Sequence, residues 1–274
     1  MLTALAAWHQ FHGPLIAIAV TLAFAGAGRF LRIELLGSAA GGVGVVAGWY
    51  VVTNRFWVSS PLPSVPALPG FAALTLMIAL LCSWLAPSRR SLVTMLLTAL
   101  ASGWFLSEAP RAWAALRTSW PIAVAGILGV LLFVRILTDR AVVPLYAGLA
   151  GLTLAAGLHI AGAPPFWTQL ALVPGLAALA LLILPSTDTQ AALPVIVDTA
   201  TLAALAALGT GRLARGAFAP ADAAALSPLL AIWLAPRAAE RMRPAGGAAP
   251  LAGSLIAGVT AVGCVWLARR LLQH

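Results

Sequence analysis

The chain is 274 residues long, 62% hydrophobic and 8% charged, against roughly 25% charged residues in an ordinary soluble domain. That composition excludes a water-soluble monomer and predicts an all-α, multi-pass helical membrane protein. The net charge of +9 comes from 16 arginines against 7 acids, and such cations in a membrane protein belong to short loops and anionic headgroups, not to nucleic acid.

Residues 2 to 12 place Leu2, Leu5, Trp8 and Phe11 at three-residue spacing, which predicts a short helix lying at the interface. No basic region precedes the first apolar run and no small-residue cleavage site follows it, so this segment is expected to stay on the protein. Uncharged runs bounded by arginine, proline or tryptophan then predict about ten spans, at 12–31, 35–53, 70–86, 91–107, 120–138, 141–160, 167–185, 191–209, 222–236 and 250–269. Arg29 falls inside the last turn of the first span and is expected to snorkel to the headgroups.

The second span carries Gly37, Gly41, Gly44 and Gly48, an overlapping small-xxx-small pattern that permits close backbone contact between helices. Pro61, Pro63, Pro66 and Pro69 make the segment from Ser59 to Gly70 a stiff extended connector. Residues 108 to 119 read as a brief interfacial helix. The charge-free run from 141 to 187 is long enough for two crossings, with Ala163-Pro164-Pro165-Phe166 as the turn between them. The ninth run is the shortest: about 15 residues at about 1.5 Å each cover only about 22 Å of a roughly 30 Å core, so it reads as a short span or a re-entrant segment.

Trp49, Trp84, Trp104, Trp120, Trp167, Trp233 and Trp266 each lie near an expected span end, where an amphipathic ring prefers the interface. Cys82 and Cys264 fall inside apolar runs and read as small buried hydrophobes. Arg89, Arg90, Arg237, Arg241 and Arg243 read as topology anchors or headgroup contacts. Over ten spans, nine arginines fall on one side and seven on the other, which favours both termini outside.

Internal similarity suggests a duplication. Pro14-Leu15-Ile16-Ala17 lies 130 residues before Pro144-Leu145-Tyr146-Ala147. Pro121, Ala123, Gly129 and Val130 match Pro250, Ala252, Gly258 and Val259 at an offset of 129. Halves 1–138 and 139–274 would each hold five spans, an odd number, so they would cross the membrane in opposite directions within one transmembrane domain.

Asp198 stands inside the eighth run, where an acid costs about 2.5 to 3.5 kcal/mol on insertion scales. Desolvation favours its protonated form, the state suited to exchanging a proton during transport. Thr201 lies three residues later on the same helical face, and Pro194 four residues earlier opens or breaks the helix. The competing role is structural, pairing with an arginine or capping a broken helix. His159 ends the stripe Ala147, Gly151, Ala155, His159, which places its imidazole toward protein as a proton relay with Asp198, a ligand to a haem or metal, or a buried hydrogen-bond partner.

His9 and His12 lack acids or cysteines nearby, so no metal site is expected, and nothing points to a cofactor. HExxH, GxSxG and CxxC are absent, as is a close aspartate pair, and the missing lysine excludes a Walker A loop, so enzymatic activity is not the leading expectation. The leading expectation is a bacterial inner-membrane transporter of a small solute with Asp198 as coupling acid. The alternative is a non-catalytic subunit or assembly factor of a larger membrane complex. Lipid is the expected partner in either case, and a lipid-linked transferase or flippase near Arg237, Arg241 and Arg243 is a third.

Overall fold

The computed structural model describes residues 11–54, 68–85, 87–106, 113–137, 143–184, 220–242 and 248–272, which form nine helices and no strand. In chain order they are α1 (His12–Leu31), α2 (Glu34–Thr53), α3 (Leu68–Cys82), α4 (Pro87–Leu106), α5 (Trp113–Leu137), α6 (Val143–Ile160), α7 (Pro165–Ile183), α8 (Pro220–Arg241) and α9 (Ala249–Leu272). Four of them, α1, α2, α7 and α9, are long and apolar enough to cross a membrane, the mark of a helical membrane protein.

Three sequence boundaries move. Residues 113–119 of the interfacial helix expected at 108–119 run on into the span expected at 120–138 as α5, a single 25-residue helix with Pro121 inside it. A membrane helix accommodates an internal proline because local adjustments satisfy the carbonyl it frees. The connector expected up to Gly70 ends earlier, since Leu68, Pro69 and Gly70 open α3, with proline in a first turn that has no use for its missing N–H. The short ninth run lies within α8, whose 22 residues reach about 33 Å, with Asp222, Glu240 and Arg241 near its ends. Residues 2 to 10 of the interfacial helix expected at 2 to 12 and the eighth span lie outside the described residues, and Phe11 and His12 cap and open α1.

Close backbone approach joins α1 to α2. A Cβ built on Gly28 would sit 2.5 Å from the Gly37 nitrogen, and one on Gly44 would strike the Thr21 hydroxyl and lie 2.7 Å from the Ala17 carbonyl oxygen. One on Gly48 would lie 2.9 Å from the Ala17 Cβ, and one on Gly13 would strike Val52. Position falls on one helix as it rises on the other, so the two form an antiparallel hairpin closed by Arg32, whose left-handed backbone (φ 57) caps α1.

The α6–α7 pair is built the same way. Gly162 at φ 79 turns the chain, Pro164 precedes the first turn of α7, and Gly151 meets Gly175 while Gly148 meets Leu179. The hairpin expected around Ala163-Pro164-Pro165-Phe166 is present.

Helix α7 ties the two hairpins together. Trp49 Nε1 donates to the Leu170 carbonyl at 2.9 Å, and Ala40 shares a buried cluster with Ala178, so α2 and α7 are antiparallel. Gly13 lies beside Val173 and Gly26 beside Leu184, so α1 and α7 are parallel. Helix α1 therefore runs opposite to α6. Trp49 is 0% exposed and packs with Leu68, Phe71 and Val173, which corrects the interfacial role expected for it. Its neighbours come from α3 and α7, which the hydropathy of α2 alone does not reveal.

Two further hairpins flank this centre. In α4–α5, Gly103 meets Val124 and Trp120 Nε1 donates to the Leu100 carbonyl at 3.2 Å. In α8–α9, a Cβ on Gly253 would sit 2.5 Å from the Ala239 nitrogen.

These contacts sort the glycines by tolerance. Gly28→Ala and Gly151→Ala force backbone apart and should each lower stability by about 1–3 kcal/mol. Gly126→Ala, with nothing within 4 Å of the added carbon among the described residues, should leave it unchanged or slightly raised. Thermal unfolding of the three variants in one detergent checks the order.

Candidate functional site

The acid singled out from the sequence, Asp198, and its neighbour Thr201 lie outside the described residues, as do Arg243 and His9. His159 is described and is exposed at the last turn of α6, whereas Ala147, Gly151 and Ala155 are buried. The stripe is real, but its end is not inside. Four residues advance a helix by about 400°, so each step drifts about 40° around the axis, and three steps swing the fourth member out of the contact.

A different carboxylate is buried. Asp222 is 1% exposed in the first turn of α8. Its helix packs against α6 through Gly157, where an added Cβ would lie 3.2 Å from that of Ala224. Ser227 Oγ donates along this interface, at 3.3 Å to the Thr153 carbonyl and at 2.7 Å to the Ala224 carbonyl. Thr153 is itself buried, and its hydroxyl donates to the Leu149 carbonyl at 2.9 Å. Ala224 and Ser227 run antiparallel to Gly157 and Thr153, which sets Asp222 at the level of Leu158 and His159.

The same level holds a cation. Helix α9 runs parallel to α6, with Gly258 beside Leu149 and the Arg269 guanidinium donating to the Ile160 carbonyl. That carbonyl belongs to the last turn of α6, where it has no partner within its own helix. Arg269 thus satisfies an orphan acceptor at a negative helix end, and Asp222 sits at a positive one, the favourable placement for each sign. One end of the bundle therefore collects His159, Asp222 and Arg269 from three helices.

Asp222 escapes a reading of the sequence because it stands at the edge of the shortest apolar run, where an acid marks a boundary. The available signal was a helix start, proline at 220 followed two residues later by an acid.

The expected anchors divide. Arg89 lies in the first turn of α4, and Arg90 Nε donates to the Leu85 carbonyl at 3.4 Å. Arg237 stacks 4.2 Å above Trp233 and donates to its carbonyl at 2.8 Å, and Arg241 is exposed. Arg270 stacks 4.6 Å over Trp266 in the same manner. Antiparallel packing puts these two arginine–tryptophan pairs at opposite ends of α8–α9, the arrangement a bilayer with two interfaces favours. Cys82 is buried as expected, but Cys264 is exposed on α9, because an apolar run has a lipid side as well as a protein side. Among the described residues no group of three His, Cys, Asp or Glu side chains gathers to hold a metal.

No protein-family model, no curated protein and no solved structure matches this chain.

Removing the Arg269 cap isolates one part of this layer. Arg269→Gln should lower thermal stability, by about 1–3 kcal/mol for a lost charged hydrogen bond. Arg270→Gln, on the exposed face, should change it by less than about 1 kcal/mol. Equal losses in the two variants would show that the Ile160 contact is not what holds the end of α6.

Proposed function

We propose that this chain is a membrane transporter of a small solute, built from two inverted five-helix halves, 1–138 and 139–274, with about ten spans. The observation that carries the reading is the matched register of two oppositely directed hairpins. His12 and Glu34 open α1 and α2, and Val143 and Pro165 open α6 and α7, each 131 residues later. At that offset Ala17 opposite Gly48 corresponds to Gly148 opposite Leu179, and Thr21 opposite Gly44 to Leu152 opposite Gly175, which supports a repeated hairpin one residue out of step with the 130-residue sequence match. Helices α1 and α6 run in opposite directions. Opposed repeats around a shared centre provide two equivalent arrangements of one bundle, the basis of alternating access.

Asp198 is the coupling acid in this reading, with Thr201 on its face and His159 as a relay open to the bundle surface. A carboxyl within an apolar run changes charge at a cost that a proton removes, which links its occupancy to conformation. In this reading the protein resides in a bacterial plasma membrane, with lipid as the surrounding partner and with no cofactor.

A second reading, a non-catalytic subunit of a larger membrane complex, is favoured by the exposed apolar side of α9, which includes Leu251, Leu255, Val259 and Leu271. Purification in mild detergent separates the two, since a subunit brings stoichiometric partners and a transporter does not.

Two measurements test the transport reading. A membrane-impermeant thiol reagent should label Ile33→Cys and Ala163→Cys, in the turns after α1 and α6, from opposite sides of the membrane; labelling from one side removes the inverted repeat. In proteoliposomes loaded with a pH-sensitive dye and screened against small solutes, Asp198→Asn should keep its unfolding temperature and lose solute-dependent proton movement. Unchanged proton movement would remove Asp198 from the mechanism.

A further inference from the structure

Helix α8 is interrupted near its start, and the interruption is closed from within. Pro228 has no N–H, so the carbonyl of Ala224, four residues back, loses its helical donor. The Ser227 hydroxyl takes that place at 2.7 Å and reaches the Thr153 carbonyl of α6 only at 3.3 Å. Thr153 lies inside α6, where its carbonyl has the N–H of Gly157, so Ala224 is the acceptor that depends on Ser227.

Helix α7 provides the comparison. Pro174 frees the Leu170 carbonyl in the same way, and there the substitute donor is Trp49 Nε1, at 2.9 Å and on α2. Bending α7 at its proline would break that bond, because the buried indole belongs to another helix and stays behind. Bending α8 breaks no such bond, because Ser227 and Ala224 share one turn. A proline is where a helix bends, and of these two bends one is pinned and the other is not.

The packing on either side of Pro228 differs as well. Beyond it the body of α8 is held on several sides: Ile232 packs with Met95 of α4 and Ile127 of α5, and Ala231 and Ala235 pack with Tyr146 of α6 and Ala257 of α9. Before it, the apolar contact is made by two alanines, Ala224 and Ala225, set against Leu154 and Leu158 of α6 and Val265 of α9. Alanine offers a single methyl group, so little contact is lost when this segment moves. The same segment carries Asp222, 1% exposed.

We infer that Pro220–Ala224 is a gate, hinged between Ala224 and Pro228, that swings away from α6 and admits water to the Asp222 carboxylate. Helix α9 takes no part in the motion, so Arg269 stays on the Ile160 carbonyl and the gap opens between α8 and the last turns of α6. The gate needs neither the repeat nor Asp198, and it serves a transporter and a subunit alike.

Thiol labelling in membranes tests it, in the full chain with Cys82→Ala and Cys264→Ser. Leu158→Cys, on α6 beneath the gate and 1% exposed in the closed bundle, reports opening. Ala155→Cys, a smaller change in the same cluster, gives a second reporter. Ala150→Cys, 3% exposed on the same helix but packed with Ile232 beyond the hinge, reports loosening of the whole bundle. A small charged thiol reagent should label Leu158→Cys and Ala155→Cys, and Ala150→Cys at least about tenfold more slowly, as local opening precedes global unfolding.

Pro228→Ala returns an N–H to the Ala224 carbonyl and stiffens the hinge, so it should slow labelling at both reporters about three- to tenfold, the worth of one backbone hydrogen bond. Pro174→Ala, at the pinned bend, should leave both rates unchanged. The gate is refuted if neither reporter reacts, since the start of α8 then never parts from α6. It is refuted too if Ala150→Cys reacts as fast as the reporters, which would mean general loosening. Labelling that Pro228→Ala leaves unaltered, or that Pro174→Ala slows equally, would show that water enters by a route other than this hinge.

Discussion

The constraint on which this structure depends is that helices in hydrocarbon gain little from hiding apolar surface, because lipid is as apolar as leucine. Association must come from contact, and contact is strongest where backbones approach. Gly28 on Gly37, Gly44 on Thr21, Gly151 on Gly175 and Gly253 on Ala239 are such places, each too tight for an added methyl group. They fix register as well as proximity, since a helix shifted by one residue would bring a larger side chain into a gap that admits only hydrogen. The directions of the α1–α2, α1–α7 and α6–α7 pairs can be read from which glycine finds which partner.

From that centre the remaining features take their places. Trp49 is large, yet it is wholly buried, because the small residues beside it leave room for an indole between α2 and α7, and its N–H finds the Leu170 carbonyl. The same approach of α8 to α6 at Gly157 carries Asp222 into the protein, where the first turn of its own helix offers a favourable potential. Packing of α9 along α6 then delivers Arg269 to the carbonyl of Ile160. Asp222 and Arg269 are both placed at helix ends, which suits a chain with seven acids in 274 residues.

Much of the helical scaffold was legible in the sequence, because runs without charge, paired prolines and periodic glycines each have one physical meaning in lipid. The stripe from Gly37 to Gly48 and the turn at Pro164-Pro165 belong here. What stayed hidden depends on neighbours distant in the chain. An amphipathic ring near a span end reads as interfacial, and only α3 and α7 make Trp49 a core residue. A stripe at four-residue spacing reads as buried throughout, while helical drift brings His159 to the surface. Asp222 illustrates the converse, since an acid at the edge of a short run looks like a boundary until the helix is seen to extend beyond it. Cys264 shows that one apolar run faces both protein and lipid.

The energetics of parting α8 from α6 bear on whether the bundle is rigid. Every backbone hydrogen bond within α8 survives such a motion, because a helix satisfies its own interior. The interhelical bond from Ser227 to the Thr153 carbonyl is worth about 0.6 kcal/mol by the average for membrane proteins, and Ser227 keeps its bond to Ala224 when that one breaks. What is lost is close contact along Gly157, and lipid chains restore part of it. The heavier term is the layer of Asp222 and Arg269, where separation leaves a charge and a helix-end carbonyl to find new partners. At the end of the bundle those groups meet headgroups and water, so the cost falls where solvent can absorb it. A hairpin joined to its neighbour by small residues along its length and by charges only at its end is one that can let go.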